Sequence, residues 1–318
     1  MLSNRLHAGA SLQPGGVPPD DADRSAKGDD MRTYQWLGAV AAAVLALSLP
    51  SAAAAIEPAK SKAELITKCI AQAKADLASA GRSLRLARFD RVMLGTSGDD
   101  VVDAADLDPG QVLYCGFGGS DQITSREPLR GGDVFVGGAG DDSVLAQVGG
   151  LFIGGPGDDS VALLKGGEFL GGADADHVDE IDGGVFRGLD GVDEVADLSS
   201  GTFRGGTGGD IVGVMRGGAY YGGAGADQVM STIWTGLFDG GDGPDRVDFV
   251  EPDARFEGGP GRDRVAGVIG VFVGGRGDDT ACWIGPKGRF SAGDGVDTVG
   301  GAATGAMARR IERIQKCR

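Results

Sequence analysis

The sequence predicts an all-β protein, a parallel β-solenoid of about twelve coils with a short N-terminal capping helix. Two periodic signals predict it. The first is a nine-residue pattern, Gly-Gly-x-Gly-x-Asp-x-Val-x, that starts at Gly95, Gly116, Gly137, Gly154, Gly171, Gly188, Gly205, Gly222, Gly240, Gly258, Gly274 and Ala292. The clearest copies begin at Gly137, Gly154, Gly222 and Gly258. The second is an aromatic two residues before each new repeat: Tyr114, Phe135, Phe152, Phe169, Phe186, Phe203, Tyr220, Phe238, Phe256, Phe272 and Phe290. A short fixed period of this kind stacks one supersecondary unit on the next instead of closing a globular core.

Each period holds two strands and two turns. One strand centres on position 8, where Val102, Ile123, Val144, Val161, Val178, Val195, Val212, Val229, Val247, Val265, Ala281 and Val299 recur. The other centres on the aromatic. Runs of about three residues ended by glycine turns fit strands paired coil on coil. A ladder of aliphatic residues then faces a ladder of aromatic ones across a narrow core. At roughly 4.8 Å per coil the rod is about 55 Å long. The second turn is shorter, often Gly-Gly (Gly149-Gly150, Gly166-Gly167, Gly183-Gly184, Gly217-Gly218), with no regular acid.

Position 6 is Asp in every repeat: Asp100, Asp121, Asp142, Asp159, Asp176, Asp193, Asp210, Asp227, Asp245, Asp263, Asp279 and Asp297. An Asx turn explains one or two such residues. It does not explain an unbroken column, because stacked carboxylates repel unless a cation lies between them. Glycines at positions 1, 2 and 4 permit positive φ and inward carbonyls. Oxygen-only ligands suit a hard ion, and calcium takes six to eight of them. No His or Cys recurs in the turn to suit a softer metal. The expected ligands are the twelve aspartates and turn glycines such as Gly137, Gly154, Gly222 and Gly258, along one edge of the rod.

The nonapeptide resembles the RTX, or haemolysin-type, calcium-binding repeat over Gly95–Gly300. That resemblance implies a parallel β-roll with several Ca2+ ions between successive turns. The chain departs from the family pattern in carrying the acid on one edge only. It also has Asp174 at position 4, Leu189 at position 2 and Ala292 at position 1, where weaker or differently liganded sites are expected.

Five regions follow. Residues 1–30 are polar and read as a disordered extension or as sequence upstream of a start at Met31. Residues 31–55 have a basic start, an apolar stretch over Trp36–Leu49 and Ala53-x-Ala55, the features of a secretory signal peptide. Residues 56–94 form a helical cap: Ser61 and Glu64 make a capping box, and Leu65, Ile66, Cys69, Ile70, Ala73 and Leu77 make an apolar stripe. This helix is expected to plug the open end of the solenoid, residues 95–300. Residues 301–318 form a C-terminal cap, with Ile311 and Ile314 in a final strand.

Four cysteines in an exported chain point to two disulfides. Cys115 and Cys282 lie about nine coils apart, on the order of 45 Å, beyond disulfide reach. The pairs expected are therefore Cys69–Cys115 and Cys282–Cys317, each fixing a cap to its end.

The net charge is −16, and −15 once residues 1–55 are removed, which argues against nucleic-acid binding. Beyond the signal peptide there is one histidine, His177, at an outward position, and no nucleophile with a base beside it in the pattern. The function expected is that of a secreted, non-enzymatic, structural or adhesive calcium-binding protein with calcium-dependent folding. The alternative is polysaccharide binding, or a parallel β-helix lyase-type enzyme. Arg309, Arg310, Arg313, Lys316 and Arg318 at the C-terminus suit an acidic cell-surface polymer as partner.

Overall fold

A computed structural model describes residues 61–79, 81, 89–103, 111–124, 129–315 and 317. The extension and signal peptide (1–55) and the C-terminal Lys316 and Arg318 lie outside the described residues.

The described residues form a parallel β-solenoid of about 13 turns, with one short helix among them. Pairing carries each ladder one rung past the repeats. The aromatic ladder begins at Met93, paired with Tyr114, and ends at Ala308, paired with Phe290. The aliphatic ladder runs from Val102 to Ile314, whose pairing with Val299 supplies the last turn. Between Phe135 and Phe290 the rings stack with centroids 4.5–5.0 Å apart and planes within 3–11°. The coil rise sets that separation and the rings stack face on face, while Tyr114 on the first rung tilts by 39° from Phe135.

A third inward ladder lies three residues after the valine, or four at Ile233. It includes Leu164, Ile181, Leu198, Met215, Ile233, Val250, Val268 and Ile284, all fully buried. Gln147 occupies one rung and is also buried, its Nε2 donating to the carbonyl of Glu168 at 2.9 Å. The period is thus longer than a two-strand scheme needs, and the added arm completes the cross-section of the core.

The helix α1 spans Lys62–Ser79 and opens on the capping box: Ser61 N donates to Glu64 Oε2 at 2.7 Å and Glu64 N to Ser61 Oγ at 3.3 Å. It does not plug the end of the rod, as the stripe suggested. Cys69, Ala73 and Leu77 pack instead on the outer face of the aromatic strands, against Leu113, Cys115, Val134, Val136, Ile153 and Leu170. The physical reason is local. Those outward positions are apolar in the first coils and would otherwise meet water, whereas the next two coils put Arg187 and Arg204 there. Cys69 is joined to Cys115 and Cys282 to Cys317. The first bond fixes α1 to this face.

Ala73 is 1% exposed in that contact. Ala73→Glu would bury a charge with no partner designed for it, so it should release α1 at a cost of about 2–4 kcal/mol. The check is dye binding to exposed apolar surface, expected to rise while the far-ultraviolet β signal persists. Loss of the whole β signal would show that the helix holds the rod together.

Candidate metal centre

Glycines at positions 2 and 4 carry the positive φ that shapes most of the long turns, for example Gly155 at 125° and Gly157 at 130°. Where other residues stand there the backbone keeps the same sense: Phe117 has φ 80°, Asp174 79° and Leu189 86°. Position 1 differs from expectation, because none of its glycines has positive φ. Its glycine is needed for space. A methyl on Gly154 would stand 2.0 Å from Oδ2 of Asp159 and 2.7 Å from the carbonyl oxygen of Gly171 in the next coil. The same two oxygens converge at Gly188, Gly205, Gly240, Gly258 and Gly274.

The twelve aspartates form one continuous column inside the rod edge. Each accepts, through Oδ1, the backbone N–H of the aspartate one coil earlier, at 2.7–2.9 Å, from Asp100 N to Asp121 through Asp279 N to Asp297. The column closes on a residue the repeat does not announce: Asp297 N donates to Glu312 Oε2 at 2.9 Å. From Asp121 to Asp297 the aspartates are buried, and Oδ2 of every one has no hydrogen-bond partner. Asp100 is the exception. It is half-buried, and its Oδ2 accepts from Thr96 N at 2.6 Å and Thr96 Oγ1 at 3.1 Å. Eleven aspartates, not twelve, therefore present an uncommitted oxygen.

A buried carboxylate oxygen with no donor is costly. Burial raises these carboxyls, the N–H from the neighbouring aspartate lowers them, and the column's other charges raise them again. Asp159 reaches about 8 and Asp176 about 9 at the centre of one stretch, while Asp193, Asp227 and Asp263 reach about 6. Two tyrosine hydroxyls on the aromatic ladder, those of Tyr114 and Tyr220, are also buried with no hydrogen-bond partner. Burial, then the Asp227 and Asp210 charges, push Tyr220 well above its ordinary value. Tyr in place of Phe is the only trace of this in the sequence.

The donor set fits a hard cation. From Asp121 on, each coil offers one free Oδ2, and in eight coils a carbonyl oxygen of the next coil converges with it at the position-1 glycine. Among the described residues no group of three or more His, Cys, Asp or Glu side chains could hold a metal ion, so backbone carbonyls would supply most ligands. That balance suits calcium better than a metal needing several side chains. Asp174 and Leu189 leave the column intact, since Asp176 and Asp193 sit in it as the others do. The opposite turn carries glycines at positive φ, among them Gly150, Gly167, Gly184 and Gly218, and no carboxylate column among the described residues. His177 lies outside the column, with Nε2 2.8 Å from Asp179 Oδ1.

Comparison with known proteins adds little. No family model matches the chain, and no curated protein matches it. Among solved structures it is similar to a hyperactive, Ca2+-dependent, β-helical antifreeze protein from an Antarctic bacterium, at 17% identity and a TM-score of 0.37, over 73% of this chain and 82% of that one. At that level of similarity nothing about the present chain rests on the likeness. Among the described residues no helix is long and apolar enough to cross a membrane.

Proposed function

We propose that this chain is an exported calcium-binding β-solenoid of the RTX type, a structural or adhesive rod without catalytic chemistry, whose folding is completed by calcium. The observation that carries it is the run of eleven buried, unpartnered Oδ2 atoms, eight of which converge with a carbonyl oxygen of the next coil at the position-1 glycine. The residues that would hold the ions are Asp121 through Asp297, with Gly137, Gly154, Gly171, Gly205, Gly222, Gly240, Gly258 and Gly274 offering carbonyls. Bound calcium would supply positive charge that neutralises the column. The aspartates themselves fix the register, since each Oδ1 already holds the coil before it. Asp100 is left out of the ligand set because Thr96 satisfies it. Two disulfides, one at each end, support an oxidising, extracellular location.

Extracellular calcium modules are tuned to about 0.1–1 mM. Binding energy then becomes folding energy, and the chain would order only after export. The test is calorimetric titration of the full chain with calcium beside an Asp210→Ala, Asp227→Ala variant. The variant is expected to bind fewer ions and to need more calcium for the β signal in circular dichroism. Equal stoichiometry in the two proteins would overturn the assignment of the column.

A further inference from the structure

The aromatic ladder buries its rings, but the opposite sheet does something else over the coils between Gln228 and Gly285. Trp234 is 54% exposed, Phe249 44% and Trp283 40%, with Met230 at 52% beside them. Trp234 and Trp283 are both tryptophans of the described residues. Pairing aligns Phe249 and Trp283 along the rod, with Trp234 offset from that row. Phe249 is in register with Gly267, and Gly267 with Trp283 through the Val268–Ile284 bridge. Trp234 lies one coil before Phe249, two residues further along its strand than Thr232, the partner of Phe249. The row covers three coil steps, about 14 Å.

Two of the rings lie down on glycine. The Phe249 ring covers Gly267, its Cδ1 and Cε1 each 2.5 Å from where a methyl on that glycine would stand. The Trp283 ring covers Gly285 in the same way, with Cη2 at 2.6 Å. A side chain at either glycine would displace its ring. With glycine there, the rings stay in place at the surface, Phe249 44% and Trp283 40% exposed.

We infer that Trp234, Phe249 and Trp283 form a stacking platform for a neutral, extended polysaccharide. This rests on the adhesive reading of the rod and names what it adheres to. A second copy of the chain is the competing occupant, and the area argues against it. Taking about 150–250 Å² per large ring, the exposed parts of these three side chains sum to roughly 200–350 Å², less than half of the ~800 Å² per partner of a standard interface. Charge argues against an acidic polymer on this face, because Asp248, Glu251 and Asp253 flank the row and only Asp248 is paired there, with Arg246 at 3.5 Å. The same carboxylates accept hydrogen bonds from sugar hydroxyls, while the rings take the apolar face of the sugar. Exposed apolar groups grouped on one face mark contact sites on soluble proteins.

The experiment is co-sedimentation of the full chain, kept in calcium, with microcrystalline cellulose, chitin and, as the acidic control, polygalacturonate gel, alongside Trp234→Ala, Phe249→Ala and Trp283→Ala. Circular dichroism of each sample reports folding, so failure of the calcium reading appears as an unfolded sample and not as lost adhesion. The folded protein is expected to bind at least one of the two neutral glycans, with tryptophan emission shifting to the blue. Each tryptophan variant should stay folded and bind about tenfold more weakly. Folded protein that ignores both neutral glycans, prefers polygalacturonate, or binds equally well without Trp234 and Trp283 overturns the proposal. So does a dimer in sedimentation velocity that Trp283→Ala dissolves.

Discussion

Stripped of divalent cations by a chelator, the rod is expected to lose thermal stability as pH rises from about 4 to about 9, the reverse of ordinary acid denaturation. The sign follows from the column. An unfolded Asp titrates near 3.8, whereas burial raises Asp121 to about 6, Asp142 to about 7, Asp159 and Asp245 to about 8, and Asp176 to about 9 in the folded chain. Between those limits the folded state holds protons that the unfolded state has released. Stability therefore falls with pH across that window and flattens above it. The midpoint of thermal unfolding in chelator should be highest near pH 4–5 and lowest near pH 9. Saturating calcium removes the slope, because an ionised carboxylate is the form that binds the ion. Calcium binding near neutral pH should also release protons, so its apparent enthalpy will differ between two buffers of unlike ionisation enthalpy. A chelated rod that grows more stable toward pH 9 would show that the carboxyls are not held in the protonated form by burial.

Much of this column could be read from the chain, because a residue repeated at one position in every coil has one environment. The aromatic and aliphatic ladders were legible for the same reason, as were the cysteine pairs, since a rod has two ends too far apart to bridge. Three features were not legible. The third inward ladder mixes Leu, Ile, Met, Val and the polar Gln147, so no single residue type marks it. The seat of α1 is written outside the repeat, in Cys115, Val136, Ile153 and Leu170 one residue past the aromatics, where the following coils turn to Arg187 and Arg204. The end of the column depends on Thr96 and Glu312, which take over from the turn glycine and the aspartate at opposite ends. Ends break periodicity, and a periodic signal says least where it stops.

Gly205→Ala should be among the most damaging single-methyl additions the rod can receive, though its φ is ordinary. The new methyl would stand 1.8 Å from Asp210 Oδ2 and 2.7 Å from the Gly222 carbonyl oxygen. Neither neighbour can move cheaply. The Asp210 carboxylate is held by the N–H of Asp193 at 2.9 Å, and the carbonyl belongs to the next coil's backbone. Overpacking of this kind costs about 1–3 kcal/mol or more, whereas Gly131→Ala, with nothing within 4 Å of its methyl, should stay within about 0.5 kcal/mol of the parent. The methyl also fills the space between the two oxygens, so Gly205→Ala should lower the number of calcium ions bound. Asp210→Ala empties that space. In the double variant the methyl at 205 is then expected to cost less than it does alone, a coupling of about 1–3 kcal/mol between residues in contact. Denaturant unfolding of the parent, both single variants and the double, each in calcium and in chelator, measures it. Purely additive costs would mean that position 1 is glycine for a reason other than the carboxylate beside it.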